Sequence, residues 1–181
     1  MAHLRIYTDG GCAGNQSEHN LGGWGAILEY GEHVKELFGS DANTTNNRME
    51  LTAVIEGLKA LKGNGHDVDV FSDSSYVANC FREKWYESWE KNGWRNAARK
   101  SVENQELWKE LLALVRNHNV KFYRVKGHVN LNSKNTNVDA HYKKFREWNG
   151  SNFSYEDFIH ITEMNNEVDR LANKGIDSLR E

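Results

Sequence analysis

The chain has 181 residues and a formal net charge of −3, and 38% of its residues are hydrophobic and 27% charged. This composition indicates one globular domain over residues 1–181, with no internal repeat and no second domain. It excludes a protein that binds nucleic acid through bulk positive charge, and no stretch approaches the ~20 apolar residues of a membrane span.

The N-terminus and the cysteines bear on the compartment. MAHLRIYTDGG contains no long apolar run, so no signal peptide is predicted. Cys12 and Cys80 lie in different segments without metal-ligand spacing. We therefore predict two reduced thiols in a cytoplasmic protein that does not bind membranes.

Three strands are predicted at the start of the chain. His3–Thr8 alternates between two faces and is followed by Asp9, and the glycine-rich residues 10–15 (GGCAGN) are predicted to form a turn. Gly22–Tyr30 and His33–Gly39 are separated by a short connection that contains a glycine, which is typical of a β-hairpin.

A helix and a further strand follow. The helix is predicted from about Thr45 to Gly63, because its apolar residues recur on one face: Leu51, Val54, Ile55, Leu58 and Leu61. Residues 68–73 (VDVFSD) form a short strand that ends at Asp73. Ser74 is a candidate cap for the next helix.

Residues 82–126 differ in charge from the rest of the chain. They hold eleven Lys and Arg against six Asp and Glu, and the remainder holds twelve against twenty. Residues 85–100 also carry three tryptophans. The cationic segment is either a solvated helix face or a site for an anionic partner. Within it, an amphipathic helix is predicted over 103–118, and a strand from 120 runs into the glycine turn before His128.

The pattern after His128 is less regular. Residues 130–137 are loop-like, and a short amphipathic helix containing Val138 and Phe145 should end at Asn149-Gly150. A capping-box pattern at Ser154 opens another helical stretch, which is followed by a last helix. Strands that alternate with helices after an initial meander imply an α/β fold, with a mixed sheet and helices on its faces.

Four acids occupy positions that are unusual for surface residues. Asp9 and Asp73 end strands, Glu50 lies beside the apolar stripe of the first long helix, and Asp169 lies within the apolar register of the last helix. Each alone is readily explained as a capping or surface carboxylate. Together at the carboxyl ends of strands they could form a cluster that a hard divalent cation such as Mg²⁺ would relieve of repulsion.

Five strings in order resemble ribonuclease H of type 1, the family that cuts the RNA strand of RNA–DNA hybrids. They are YTDGGCAGN, TTNNRMEL, FSDSSYV, VKGHV and NNEVDRLAN, within residues 3–128 and about 163–178. The resemblance implies a five-stranded mixed sheet with helices on both faces. It also implies that Asp9, Glu50, Asp73 and the aspartate of the last helix hold two Mg²⁺ ions, with Mn²⁺ as an alternative, and that His128 assists proton transfer or product release.

The same resemblance implies a surface for the hybrid. Residues 82–103 resemble the family's basic protrusion, which we call the handle, although its acidic residues dilute the charge. Trp85 and Trp89 are expected under the DNA strand, with helix packing as the alternative. The candidate substrate-binding residues are Asn15, Thr45, Asn46, Asn47, Tyr76, Trp85, Trp89, Lys91 and Asn104.

Two aspartates compete for the fourth place in the acidic cluster. Asp139 stands at the spacing from His128 that many family members show, but the residues after Asp169 (RLANKG) match the family's final helix better. We assign the metal role to Asp169. Residues 129–162 then form an ordered, mainly helical insertion, which is either a structural elaboration or a contributor near the mouth of the active site.

The sequence predicts a metal-dependent endoribonuclease that acts on RNA–DNA hybrids by two-metal-ion hydrolysis and leaves 5′-phosphate and 3′-hydroxyl ends. The alternative is a non-catalytic hybrid-binding module on the same fold, which the presence of all four acids disfavours. A third interpretation, a related nuclease or integrase-like enzyme acting on DNA, does not account for TTNNRMEL together with the handle. The chain is expected to be a monomer.

Overall fold

The structure is a computed structural model that describes residues 3–13 and 20–180. The strands are β1 (Leu4–Ala13), β2 (Leu21–Tyr30), β3 (His33–Ala42), β4 (Asp67–Ser72) and β5 (Asn119–Arg124), and the helices are α1 (Asn46–Lys59), α2 (Ser75–Arg82), α3 (Trp85–Lys91), α4 (Gln105–Arg116), α5 (Val138–Asn149) and α6 (Tyr155–Ser178). The predicted hairpin is present, since β2 and β3 pair antiparallel through Tyr30 and His33.

The strands form one five-stranded mixed sheet in the order β3-β2-β1-β4-β5. β1 pairs antiparallel with β2 and parallel with β4, and β4 pairs parallel with β5. The predicted mixed sheet is therefore confirmed. The parallel ladder between β1 and β4 ends at Thr8 and Ser72, which places Asp9 and Asp73 at the same edge.

Two hydrophobic clusters cover the two faces of the sheet. Ile6 and Val70 belong to the first cluster, which contains α1, α2 and α4 residues, whereas Tyr7 and Phe71 belong to the second, with α5 and α6 residues. Successive strand residues point to opposite faces, so the clusters lie on opposite sides of the sheet. Helices on both faces are thereby confirmed.

The first strand is longer than predicted. Residues 10–13 are strand, because β1 continues to pair with β2 up to Ala13, and the predicted turn over residues 10–15 is wrong for these residues. The parallel ladder with β4 ends earlier, at Thr8 paired with Ser72. Asp9 therefore does not end its strand. It lies at the first position beyond the ladder with β4, where the sheet opens.

The segment before the last helix is ordered and mainly helical, as predicted. Its buried aromatic residues Phe145, Phe153 and Phe158 belong to the second hydrophobic cluster. The prediction of two separate helices after Ser154 is wrong, because α6 is one continuous helix of 24 residues that begins at the capping box. The last eight residues of the proposed insertion, 155–162, are thus the first eight residues of α6.

Helix α6 packs closely on β2. A Cβ added to Gly23 would lie 2.1 Å from the backbone oxygen of Ala172, so only glycine fits at that position. This approach agrees with the expectation that the small Ala172 lies against the sheet. It also fixes the position of α6 along its axis, and therefore the position of Asp169, which lies one turn before Ala172.

In residues 3–13 and 20–180, no helix is both long enough and apolar enough to cross a lipid bilayer.

Candidate active site

Three predicted acids meet at the edge of the sheet. Asp9 on β1, Glu50 on α1 and Asp73 after β4 each offer a carboxylate oxygen, and these oxygens all lie within 4.8 Å of one another. Asp9 and Glu50 are each only 7% exposed. The family resemblance implied that these side chains converge, and the structure brings them together.

Glu50 is held by the start of α1 and by β1. Thr45 caps α1, with its hydroxyl accepting a hydrogen bond of 3.1 Å from the Arg48 backbone N–H. The Glu50 carboxylate accepts a hydrogen bond from the backbone N–H of Gly10. This contact between helix and strand turns Glu50 inward, which explains why an acid stands beside the apolar stripe of α1.

The acids shift one another's protonation. Burial, followed by the nearby Asp73 and Glu50, raises the pKa of Asp9 to about 11. Burial and the charge of Asp73 raise the pKa of Glu50 to about 8. Burial is also the largest cause that raises the pKa of Asp73. Carboxylates crowded in this way favour either protonation or a bound cation.

Asp169 and His128 complete the same cleft. Both line it together with Asp9, Glu50 and Asp73, and the cleft has a volume of about 550 Å³. Asp169 Oδ2 lies 3.9 Å from His128 Nδ1. A side-chain hydrogen bond with Asp169 is also among the causes that raise the pKa of Asp9. The structure therefore joins Asp169 both to His128 and to the acidic cluster.

Asp139 lies elsewhere. It is exposed on α5 and borders a separate groove with Tyr142, Lys143, Arg146 and Glu147, and it does not line the acidic cleft. Of the two competing aspartates, the structure places Asp169 at the site, in keeping with the assignment made from the sequence.

The His128 loop is tightly constrained on one side and open on the other. His128 has a left-handed backbone (φ 58°) and a side chain that is 78% exposed. A Cβ added to the preceding Gly127 would lie 2.8 Å from Asp73 Oδ2. Backbone conformations of this kind persist only where the surroundings hold them, and they are concentrated at functional sites.

Two asparagines that the sequence analysis did not select support this loop and Asp73. Asn166 Nδ2 donates a 2.8 Å hydrogen bond to the carbonyl of Val129. Asn165 is buried, and its Nδ2 lies 3.5 Å from Asp73 Oδ2. They precede Asp169 by three and four residues, which is one helical turn, so the i, i+3 and i, i+4 spacing in NNEVD was the signal that could have revealed them.

Three candidate substrate-binding residues line the cleft: Asn46, Asn47 and Tyr76. Asn46 Oδ1 accepts a 2.7 Å hydrogen bond from the Cys12 backbone N–H, which fixes the side chain beside β1. Asn15 lies outside the described residues.

Thr45 and Asn104 are joined through Arg48. The Arg48 backbone N–H donates to Thr45, and its guanidinium Nη1 donates to Asn104 Oδ1 at 3.2 Å. Asn104 Nδ2 in turn donates to the Tyr76 hydroxyl at 3.3 Å. The two predicted contact residues are therefore neighbours. Arg48, which the sequence analysis did not select, links them, and its guanidinium is also paired with the Glu106 carboxylate.

The handle is partly packed and partly exposed. Trp85 and Trp89 are half-buried against the first hydrophobic cluster, and the ring centroids of Trp89 and Trp108 lie 5.4 Å apart. Trp108 is fully buried and its indole N–H donates to the Tyr76 hydroxyl at 2.8 Å. Helix packing thus accounts for Trp108 and for part of Trp85 and Trp89. Lys91 is exposed at the end of α3.

Comparison with known proteins adds an independent line of evidence. A family model described as RNase H matches residues 1–146. The chain is 52% identical over 128 residues to a ribonuclease H of Syntrophomonas wolfei, which covers 71% of this chain and 86% of that protein. It is 55% identical over 125 residues to a ribonuclease H of Chlorobium luteolum, which covers 69% and 83%.

A solved structure agrees. LC9-RNase H1, described as a type 1 RNase H with the type 2 active-site motif, superposes with a TM-score of 0.64 at 28% identity, covering 92% of this chain and 85% of that one. The family match ends at residue 146, so it includes Asp139 and leaves out Asp169. Geometry, and not the extent of that match, carries the choice between them.

Proposed function

The chain belongs to the ribonuclease H family, and from this premise we propose that it is an enzyme that hydrolyses the RNA strand of RNA–DNA hybrids internally. The observation that carries the proposal is the convergence of four carboxylates and one histidine in a single open cleft. A binding module without catalysis would have no use for buried, mutually repelling acids, which destabilise the fold unless a ligand neutralises them. No observation favours the non-catalytic alternative.

The donor set fits a hard divalent cation. Three carboxylate oxygens within 4.8 Å, two of them from side chains that are almost fully buried, suit an ion that prefers oxygen ligands. We propose that Asp9, Glu50, Asp73 and Asp169 hold two Mg²⁺ ions, with Mn²⁺ as a substitute. When bound, such ions lower the pKa of a coordinated water and neutralise charge on a leaving oxygen.

The chain's own residues supply position and proton transfer. Asp73, Glu50 and Asp169 all contribute to the raised pKa of Asp9, so Asp9 adjoins each of the other acids and would hold the ions together with them. His128 is exposed on a loop beside the cleft, and its Nδ1 lies 3.9 Å from Asp169. The His128 ring can therefore assist proton transfer or product release, and the expected products carry 5′-phosphate and 3′-hydroxyl ends.

Recognition of the hybrid would combine backbone and groove contacts. Asn46 and Asn47 line the cleft and offer amide groups to RNA 2′-hydroxyls, which distinguish RNA from DNA. Thr45, Arg48 and Asn104 form a compact polar group suited to a phosphate of the DNA strand. Trp85, Trp89 and Lys91 of the handle would meet the same strand further along, and Asn15 remains a candidate from the sequence.

Two further properties are part of the proposal. Both cysteines are free thiols, Cys80 buried and Cys12 partly so, which suits a reducing cytoplasm. We also expect a monomer, which sedimentation of the purified protein would test.

The test is cleavage of an end-labelled hybrid with Mg²⁺, alongside DNA and RNA duplexes of the same sequence. We expect internal cuts in the RNA of the hybrid alone, loss of cutting with EDTA, and product RNA that a 5′-phosphate-dependent exonuclease degrades. Hybrid binding without any cleavage, in Mg²⁺ or Mn²⁺, would support the non-catalytic module instead.

A further inference from the structure

A cationic cluster lies around Trp148, at the junction of α2, β5 and α5. The Arg124 guanidinium lies 4.2 Å above the centre of the Trp148 ring, and Lys144 Nζ lies 5.5 Å from the same centre. The Arg82 guanidinium donates a hydrogen bond to the Trp148 carbonyl. We call these four residues the Trp148 cluster.

Helix α5 is attached at this point by backbone contacts that do not need the charges. The Asn149 side chain accepts a 3.0 Å hydrogen bond from the Arg124 N–H and donates a 2.8 Å hydrogen bond to the Arg124 carbonyl. Asn149 thus provides hydrogen-bond partners for the backbone N–H and C=O groups of Arg124 on the outer edge of β5. The charges of Arg124 and Lys144 are therefore in excess of what holds α5 to the sheet, whereas Arg82 is itself bound to the Trp148 carbonyl of α5.

The donors of Arg124 remain available to a ligand. A guanidinium that stacks on an indole uses its face, whereas its five N–H donors lie in its plane. Across residues 3–13 and 20–180, the Arg124 side chain has no hydrogen bond and no ion pair; its hydrogen bonds are those of its backbone. Stacking also holds the guanidinium in one orientation, which lowers the entropy lost on binding.

The charge balance of the cluster is positive. Its single paired acid is Glu147, which lies 3.6 Å from Lys144, and both side chains are more than half exposed. An exposed pair of this kind contributes little and leaves Lys144 able to exchange partners. Arg82, Arg124 and Lys144 together therefore attract an anion.

The cluster is continuous with the catalytic cleft. Arg124 pairs in register with Ser72, the residue before Asp73, and neighbouring strands lie about 4.8 Å apart. Two residues further on, Lys126 lines the cleft beside Gly127 and His128. A polynucleotide that leaves the cleft past Lys126 would reach the cluster within about two or three nucleotides, since each step along a strand adds about 3.4 Å.

We propose that the Trp148 cluster is a second binding site for nucleic acid, which grips phosphates of the sugar–phosphate backbone beyond the cut site. For the identity of its ligand this rests on the proposed function. Arginine and lysine suit phosphate oxygens, and the bidentate fork of Arg124 suits them best. Trp148 lies just beyond residues 1–146, whereas the three cations of the cluster lie within the family match. The phosphates could belong to the hybrid itself or to a single-stranded flank.

The test compares two double variants that each remove two positive charges. Arg124→Gln with Lys144→Gln removes two of the cluster's three cations and leaves Arg82 in place. Lys143→Gln with Arg146→Gln removes two cations that line the separate groove with Asp139. Both are made in an Asp9→Asn background to prevent cutting. Binding is measured by fluorescence anisotropy as a function of salt concentration. One substrate is a blunt hybrid of about 20 base pairs, which at ~3.4 Å per step is longer than the domain is wide. The other is the same hybrid with a single-stranded overhang at either end.

We expect the cluster variant to weaken binding roughly tenfold at 100 mM salt and to reduce the slope of log K against log salt by about 2, with the control variant unchanged. Weaker binding of the blunt hybrid assigns the site to duplex phosphates, and weaker binding only with an overhang assigns it to a single strand. Equal effects of the two double variants, or no effect of either, would overturn the proposal.

Two further measurements keep this outcome separate from other failures. If the cluster variant does not fold, Lys144→Glu is compared with Lys143→Glu, since both side chains are exposed on α5. Cleavage by the parent chain is assayed in parallel. Absence of cleavage would refute the proposed function, while the binding comparison would still decide the second site.

Discussion

Replacing Asp9 by asparagine should stabilise the metal-free protein relative to the parent, and this difference in stability should grow as the pH rises. Burial, Asp73 and Glu50 raise the pKa of Asp9 to about 11, while in the unfolded chain the pKa of an aspartate is about 3.9. Between pH 5.5 and 7.5 the folded protein therefore holds one more proton than the unfolded chain at this position. Stability that depends on this proton is present at low pH and is lost as the pH rises.

The size of the effect follows from the proton count. One extra proton in the folded state lowers the free energy of unfolding by about 1.4 kcal/mol for each pH unit, or about 2.7 kcal/mol from pH 5.5 to 7.5. For a domain of this length, that corresponds to a fall of roughly 5–11 °C in Tm. Asp9→Asn removes this contribution, so the gap in stability between variant and parent should widen with pH.

The measurement is thermal and urea unfolding in EDTA at three pH values for the parent, Asp9→Asn and Asp139→Asn. Histidines such as His118, whose pKa is lowered by burial and by the charge of His66, contribute equally in all three proteins and cancel in the differences. Asp139→Asn removes the same charge from an exposed position on α5 and should follow the parent. Parallel pH profiles for Asp9→Asn and the parent would refute the account of a repelling acidic cluster.

Three other substitutions probe the supports of the site and of the second face. Asn166→Ala removes the hydrogen bond to the Val129 carbonyl. We expect kcat on the hybrid to fall several-fold with KM unchanged, and the free energy of unfolding in urea to fall by about 0.5–1.5 kcal/mol. An unchanged kcat would contradict a positioning role for Asn166. Gly127→Ala places a Cβ 2.8 Å from Asp73 Oδ2, so activity should be lost while the circular dichroism spectrum is retained, and normal turnover would show that the loop tolerates the methyl group. Phe158→Ala empties a buried position in the second cluster and should cost about 3–5 kcal/mol in urea unfolding, whereas a loss below about 1 kcal/mol would mean that the start of α6 is not part of the core.

The sequence was most informative where a local pattern and a long-range one agreed. The α1 stripe, the alternation in β1 and the capping box at Ser154 each follow from residues a few positions apart, and each element is present. Asp169 could be preferred over Asp139 because its neighbours suit a helix packed on a sheet, and the contact of Ala172 with Gly23 is that packing.

The predictions that were wrong involve distant partners. Gly10 and Gly11 resemble a turn, but β2 supplies an antiparallel partner as far as Ala13. Helix α6 was divided in two, although no glycine or proline interrupts it between Tyr155 and Lys174. Without such a residue a helix propagates as long as its face is buried. The contacts of Asn165, Asn166 and Arg48 join separate elements, so composition and periodicity carry little information about them.

Cleavage of a labelled hybrid by Asp169→Asn and Asp139→Asn tests most directly whether β1, α1, β4 and α6 together build the active site. The two substitutions change charge and size equally. The parent chain gives the rate of full activity, and Asp9→Asn gives the rate of an inactive protein. We expect Asp169→Asn to lose at least about a hundredfold in kcat, more than the 10–100-fold typical of residues that only support a metal ligand, and to regain part of it at high Mn²⁺. Asp139→Asn should cut like the parent. Loss of cleavage in Asp139→Asn, with Asp169→Asn still active, would contradict the account.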